Sequence, residues 1–157
     1  MEWNMVIAYM LTWTAYGTWL QGDRRGYVKD GTVLKPNAEL EAINRQQMKS
    51  GTVELTKEQR ISAAEAIMNE AKELNQKIFA LAVCNNHIHI VVQNIDMTIG
   101  LVASHYKNAA RLAIEKLGFN GKLWTQGFDK RYCMDEKELA VKIAYVHKHK
   151  NNNAEVI

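Results

Sequence analysis

The hydrophobic positions of this chain switch between a two-residue and a 3.6-residue period, and the switches divide it into elements. Met5 to Thr14 is rich in β-branched and aromatic residues, with Gly17 and Gly22 beyond it, which predicts a first strand leaving into a turn. Thr56-Lys57-Glu58-Gln59 is a capping box, after which Ile61, Ala64, Met68, Ala71 and Leu74 recur at helical spacing, so 57–75 is predicted to be a helix. Ile78 to Val83 and His87 to Gln93 are short apolar runs on either side of Asn85-Asn86, the pattern of an antiparallel hairpin. A second helix is predicted over 97–117, with Ile99, Val102, Tyr106, Ala109, Ala113 and Leu117 on one face and Gly118 in the stop position. Leu123 to Cys133 reads as extended. Asp135-Glu136-Lys137-Glu138 then repeats the capping pattern and opens a last helix over 135–150, packed through Leu139, Ile143 and Val146.

Residues 15–55 are the least regular part of the chain. They hold Gly22, Gly26, Gly31, Gly51 and Pro36, and Asn37 is placed to cap a short helix to about Met48. A connection this long is expected to be functional or mobile. The remaining order is strand, helix, hairpin, helix, strand, helix. The simplest arrangement is an α+β fold in which one antiparallel, ferredoxin-like or RRM-like sheet carries its helices on one side.

Length and composition narrow the class. A chain of 157 residues, 47% hydrophobic and 24% charged, is expected to form one domain with a sizeable core. Cys84 and Cys133 have no CxxC or CxxH spacing, which argues against a zinc ribbon or a disulfide framework and for buried free thiols in a reducing compartment. The N-terminus lacks a basic n-region and no run reaches membrane-spanning length, so a cytoplasmic location is expected. The net charge is only +3, so a nucleic-acid footprint has to be local.

Chemistry concentrates in two places. Alternate strand residues share a face, so His87 and His89 project side by side while Ile88 points into the core. Two imidazoles at that spacing can share one cation, or they can be ordinary exposed strand histidines. On the last helix Glu138, Lys142, Tyr145 and His149 line one stripe, either a solvent face or a reactive one. If that helix lies on the sheet face bearing His87 and His89, three histidines and a tyrosine form a site. A bound cation there can polarise a phosphodiester and neutralise developing charge. A phenol, with a pKa of about 10, is a better leaving group than an alkoxide, so a tyrosyl phosphodiester keeps the energy needed to reseal a strand.

Asn85-Asn86-His87-Ile88-His89-Ile90-Val91-Val92 resembles the histidine-hydrophobic-histidine strand of the HUH endonucleases. Leu123-Trp124-Thr125-Gln126-Gly127 and then Ala144-Tyr145-Val146 resemble the single-tyrosine transposases of insertion sequences, particularly their REP-associated relatives. The segment Gly17-Thr18-Trp19-Leu20-x-Gly22-Asp23-x-Arg25-Gly26 is similar to a group within those relatives. The resemblance covers about Met5 to His149. It implies that His87 and His89 are metal ligands, that magnesium or manganese is the cofactor, and that Tyr145 is a nucleophile forming a 5′-phosphotyrosine link. The family has Gln or Asn one turn after the tyrosine as the third ligand. This chain has His149, which implies a shift towards softer ions. The family's asparagine-proline after the tyrosine helix is also replaced, by His147-Lys148-His149-Lys150.

The implied partner is single-stranded DNA with a hairpin or palindromic end, bound by a monomer in preference to a homodimer. Arg24, Arg25, Lys107, Arg111, Lys130 and Arg131 are the candidate phosphate contacts. Trp19 and Trp124 are read either as stacking platforms for unpaired bases or as core anchors. Tyr106 is the rival nucleophile, although its apolar neighbours make it core-facing, and an error in helix phase would exchange His147 for His149. Two other classes stay open: a nucleic-acid-binding module on the same sheet, and a metal-dependent hydrolase using water.

Overall fold

A computed structural model describes residues 5–18, 27–29, 32–34, 52–152 and 154–157. The chain forms β1 (Ala8–Thr14), β2 (Tyr27–Lys29), β3 (Thr32–Leu34), α1 (Lys57–Leu74), β4 (Ile78–Val83), β5 (His87–Gln93), α2 (Ile99–Glu115), β6 (Asp129–Cys133), α3 (Glu136–His147), a 3-10 turn (Lys148–Asn152) and β7 (Glu155–Val156). Among the described residues strands β2 and β3 pair with each other and not with the main sheet. The helix anticipated between Asn37 and Met48 lies outside the described residues.

The main sheet is five-stranded and antiparallel, in the order β6-β1-β5-β4-β7. The histidine strand β5 is therefore interior, hydrogen-bonded on both sides. Local chemistry ends the elements where the sequence placed its signals. The Thr56 hydroxyl accepts from the Gln59 N–H at 3.2 Å while Gln59 Oε1 accepts from the Thr56 N–H at 2.9 Å, the full capping box. Asn75 closes α1 in the left-handed region with φ 53°, where its short polar side chain is tolerated. Gly118, at φ 98°, turns the chain out of α2.

Strand alternation builds two different faces. Tyr9, Leu11 and Trp13 of β1, Leu81 and Val83 of β4, and Ile88, Ile90 and Val92 of β5 are fully buried against α1 and α2. The other face, Met10, Ala80, Ala82, Cys84 and Val91, packs on Leu139, Ile143 and Val146 of α3. This corrects the expectation of helices on one side: the inner strands are apolar on both faces, so the second face needs a cover and α3 supplies it. The register of α2 also differs from the predicted stripe. Val102, Ala103, Tyr106, Ala110 and Ile114 are buried, whereas Leu117 is exposed.

Two further expectations change. Only Asp129–Cys133 of the extended segment joins the sheet; residues before it form a loop with a single bridge, Ala15 to Trp124. Helix α3 stops at His147 and tightens into the 3-10 turn, which then leads to β7. Neither β7 nor the β2–β3 hairpin was legible as a strand signal. Strand β7 lies on β4, and the Ile157 N–H donates to the Leu81 carbonyl at 2.8 Å. No described helix is long and apolar enough to cross a membrane.

Candidate active site

His87 and His89 stand on the face covered by α3, and the cross-strand pairs set their neighbours. Thr14 is opposite His87 and Thr12 opposite His89 on β1. On the β4 side Ala82 is opposite His89, and the Cys84 N–H donates to the His87 carbonyl at 2.9 Å. The small residues Ala82 and Thr12 leave room above them for the imidazoles. Into that room come Tyr145 from the last turn of α3 and His149 from the 3-10 turn. Ring centroids are 4.8 Å apart for His87 and His89, 4.6 Å for His89 and His149, and 5.7 Å for His87 and His149. The Tyr145 ring is 5.3 Å from His89 and 5.2 Å from His149.

Hydrogen bonds orient the rings. Asn86 Oδ1 lies 2.7 Å from His87 Nδ1. His149 Nδ1 lies 3.1 Å from the Tyr145 carbonyl and 3.2 Å from that of Val146. Those partners are acceptors, so Nδ1 carries the hydrogen in both rings and Nε2 the lone pair. His89 Nδ1 lies 2.7 Å from the Thr12 hydroxyl. Such outer partners fix ligand orientation in metal sites. His89 is only 5% exposed, and burial first, then the neighbouring His87 and His149, pull its pKa down to about 3. It is thus a neutral imidazole, the ligand form, throughout the physiological range.

The cluster offers imidazole donors for a divalent cation. Three imidazoles converge on one space, and the half-open side is occupied by Tyr145, 44% exposed. A thiol also reaches this space. Cys84 Sγ and one ring nitrogen each of His87 and His149 lie within 4.8 Å of one another, a group that can hold a metal ion. Sequence reasoning passed over Cys84 because it looked for short Cys spacings; its place three residues before His87, across a tight hairpin turn, was the available signal. Burial pushes this thiol up to about 11, the charge of Arg60 acting in the opposite sense.

Other candidates are placed elsewhere. Tyr106 is fully buried on the opposite side of the sheet, where its hydroxyl donates to Gln76 Oε1 at 2.6 Å and burial, then Tyr9 and Glu70, raises its pKa. It is a core residue. His105 pairs with Glu70 at 3.2 Å between α1 and α2. His147 is exposed at the end of α3, while the 3-10 turn carries His149 to the cluster.

Of the expected DNA contacts, Arg24, Arg25 and Trp19 lie outside the described residues. Lys107 donates to the carbonyls of Thr125 and Gly127 at 3.1 and 3.0 Å, and the Trp124 indole donates to the Lys107 carbonyl at 3.0 Å. Trp124 is 8% exposed and packs edge-on to Trp13. Lys107 and Trp124 thus fasten the Leu123 to Gly127 loop to α2, and Trp124 takes the core-anchor alternative. Arg111 pairs with Glu115 on α2 at 3.0 Å. Alternation along β6 separates Lys130 from Arg131. Arg131, opposite Met10, is on the histidine face and pairs with Asp129 at 3.0 Å; Lys130, opposite Leu11, is on the other.

No family model matches the sequence, and no curated relative matches it. Among solved structures the chain is similar to a REP-associated tyrosine transposase bound to a REP hairpin, with TM-score 0.54 and 12% identity over 94% of this chain and 68% of that one. A Deinococcus radiodurans R1 protein described as a candidate transposase aligns with TM-score 0.48 and 14% identity over 91% of this chain and 90% of that one. At 12% identity the first likeness is one of fold alone, an antiparallel sheet with helices packed on it.

Proposed function

We propose that the chain is one HUH domain that cuts and rejoins single-stranded DNA beside a hairpin, with Tyr145 as nucleophile and His87, His89 and His149 holding a divalent cation. The observation that carries this reading is the convergence of those four side chains, from a central strand and a separate helix, on one space at 4.6–5.7 Å between rings. A plain solvent face would have no reason to gather two imidazoles and a phenol around a buried, neutral imidazole. The fold likeness to a transposase that binds a REP hairpin supports the same class.

The cation, when bound, supplies Lewis acidity to a non-bridging phosphate oxygen. Magnesium or manganese are the ions implied by the resemblance, and His87, His89 and His149 would hold the ion. Everything else falls to the chain. Thr12 and Asn86 hold the rings of His89 and His87 in place. Tyr145, exposed at the open side, meets the phosphodiester there. Its phenolic oxygen attacks phosphorus as its proton passes to water. The bond from phosphorus to the 3′-oxygen breaks, and that oxygen leaves with the electron pair and is protonated by solvent. The product is a 5′-phosphotyrosine link, which a free 3′-hydroxyl later reverses. A site complete in the monomer is part of this reading. Arg131, on the histidine face, is the described cation best placed to meet a DNA backbone.

Incubation with a labelled hairpin oligonucleotide and manganese, followed by denaturing electrophoresis, tests the reading. A covalent adduct is expected, and Tyr145→Phe is expected to abolish it. Cleavage without an adduct would replace this reading by hydrolysis through water, binding without cleavage by a DNA-binding module, and adducts at the wild-type level in Tyr145→Phe by another nucleophile.

A further inference from the structure

We infer that Cys84 is a ligand to the same cation, and that the resident ion of this chain is therefore a thiophilic one of the zinc class rather than magnesium. The inference rests on the metal centre proposed above and concerns which ion it selects.

Three observations place the sulfur. Alternation along β4 puts Ala80, Ala82 and Cys84 on the face packed by α3, the face of the histidines. The hairpin fixes Cys84 against His87, its N–H on the His87 carbonyl at 2.9 Å. The sulfur and a ring nitrogen from each of His87 and His149 are all within 4.8 Å. With zinc bonds of about 2.0–2.3 Å, ligand atoms on one tetrahedral ion stand roughly 3.5 Å apart. Side-chain rotation by about an ångström therefore closes the set. Cys84 is a free thiol, so no disulfide competes for it.

The chemistry of the set then selects the ion. Sulfur and imidazole nitrogen suit zinc and its neighbours, whereas magnesium and manganese favour carboxylate, carbonyl and water oxygen. The group contains no carboxylate. On coordination the thiol proton leaves to solvent as the sulfur–metal bond forms, so binding releases one proton and no oxidant or reductant is involved. His89, its ring 4.6 Å from His149, supplies the next donor, and a zinc-class ion can widen its coordination when a phosphate oxygen arrives.

Cobalt(II), a spectroscopic stand-in for zinc, gives a readout independent of DNA cleavage. Metal-stripped full-length protein is titrated with cobalt under reducing, oxygen-free conditions as the wild type, Cys84→Ser and Cys133→Ser. The wild type and Cys133→Ser are expected to show visible ligand-field absorption together with a near-ultraviolet sulfur-to-cobalt charge-transfer band. Cys84→Ser is expected to keep the first and lose the second, with zinc affinity reduced at least about 100-fold, since even outer partners of a ligand are worth about 10–100-fold. Its magnesium affinity should not change.

A wild-type spectrum with ligand-field absorption but no charge-transfer band overturns the inference and leaves the imidazole centre standing. Absence of both overturns the centre itself. The chain has two cysteines, so a band lost in Cys133→Ser also overturns the inference, even if Cys84→Ser fails to fold.

Discussion

The two faces of the sheet share the same strands yet differ in almost everything that the strands carry. Towards α1 and α2, Ile88, Ile90 and Val92 of β5 are fully buried in a continuous apolar core. Towards α3, the intervening residues are His87, His89 and Val91, covered by a helix of which Val146 is the one buried residue. The first face is organised for burial and the second gathers the imidazoles, and the period of two lets one strand serve both. Polar groups follow the same division. The buried Gln76 takes the Tyr106 hydroxyl and gives its amide to the Gln93 carbonyl at 2.7 Å, a closed network among core groups. Tyr145 stays 44% exposed beside the imidazole cluster, its ring against those of His89 and His149.

Neighbouring substitutions on β5 break the comparison most directly. Ile90→Ala removes a fully buried side chain from the core face and is expected to lower stability by about 2–5 kcal/mol in urea denaturation. His89→Ala, one residue away, should cost only about 1 kcal/mol without metal, because it removes a buried polar group along with its hydrogen bond. Its effect should appear instead as lost zinc or cobalt binding by isothermal calorimetry. Equal stability losses for the two variants would mean that the histidine face is structural as well.

Acidification separates the faces next. The core face offers no imidazole, whereas the other carries His89 among His87, His149, Tyr145 and Cys84, with Thr12 on its Nδ1. Its pKa of about 3 in the fold is depressed from the ordinary 6.5. Between those values the unfolded chain binds a proton that the folded chain refuses, so metal-free stability is intact above about pH 6.5 and falls as pH drops towards 3. The expected slope is about 1 kcal/mol per pH unit, read from urea midpoints at several pH values. His89→Ala should flatten it, and an unchanged slope in that variant would assign the dependence to other groups.

What the sequence disclosed follows the same division. The Thr56 capping box, the Asp135 N-cap, the hairpin and the histidine pair were legible because each is a local pattern whose spacing carries its own geometry. His149 was readable as the stripe partner of Tyr145, although the turn that delivers it is 3-10 rather than α-helical. Which face α3 covers was not legible, since a strand apolar on both sides gives no sign of which helix lies where. The fate of Lys107 and Trp124 was hidden for a related reason: Lys107 was read as a phosphate contact and Trp124 as either a stacking platform or a core anchor, and only tertiary packing shows that both join α2 to the Leu123 to Gly127 loop. Cys84 is buried like any apolar strand residue, and only the hairpin brings it to His87.

The smallest expected effect tests whether the histidine face is organised beyond its ligands. Thr12 projects from β1 beneath His89, with its hydroxyl 2.7 Å from Nδ1, and is the residue that β1 places opposite His89 in the register. Thr12→Val keeps the shape and removes only the oxygen. The imidazole then has no fixed tautomer, and metal affinity is expected to fall about tenfold, the lower end for an outer partner. Thr12→Ser keeps the hydroxyl and should recover most of that loss. If packing alone were the contribution of Thr12, valine would bind metal as threonine does and serine, lacking the methyl group, would be the weaker variant. The order of the two substitutions therefore distinguishes a face that merely accommodates His89 from one that aims it.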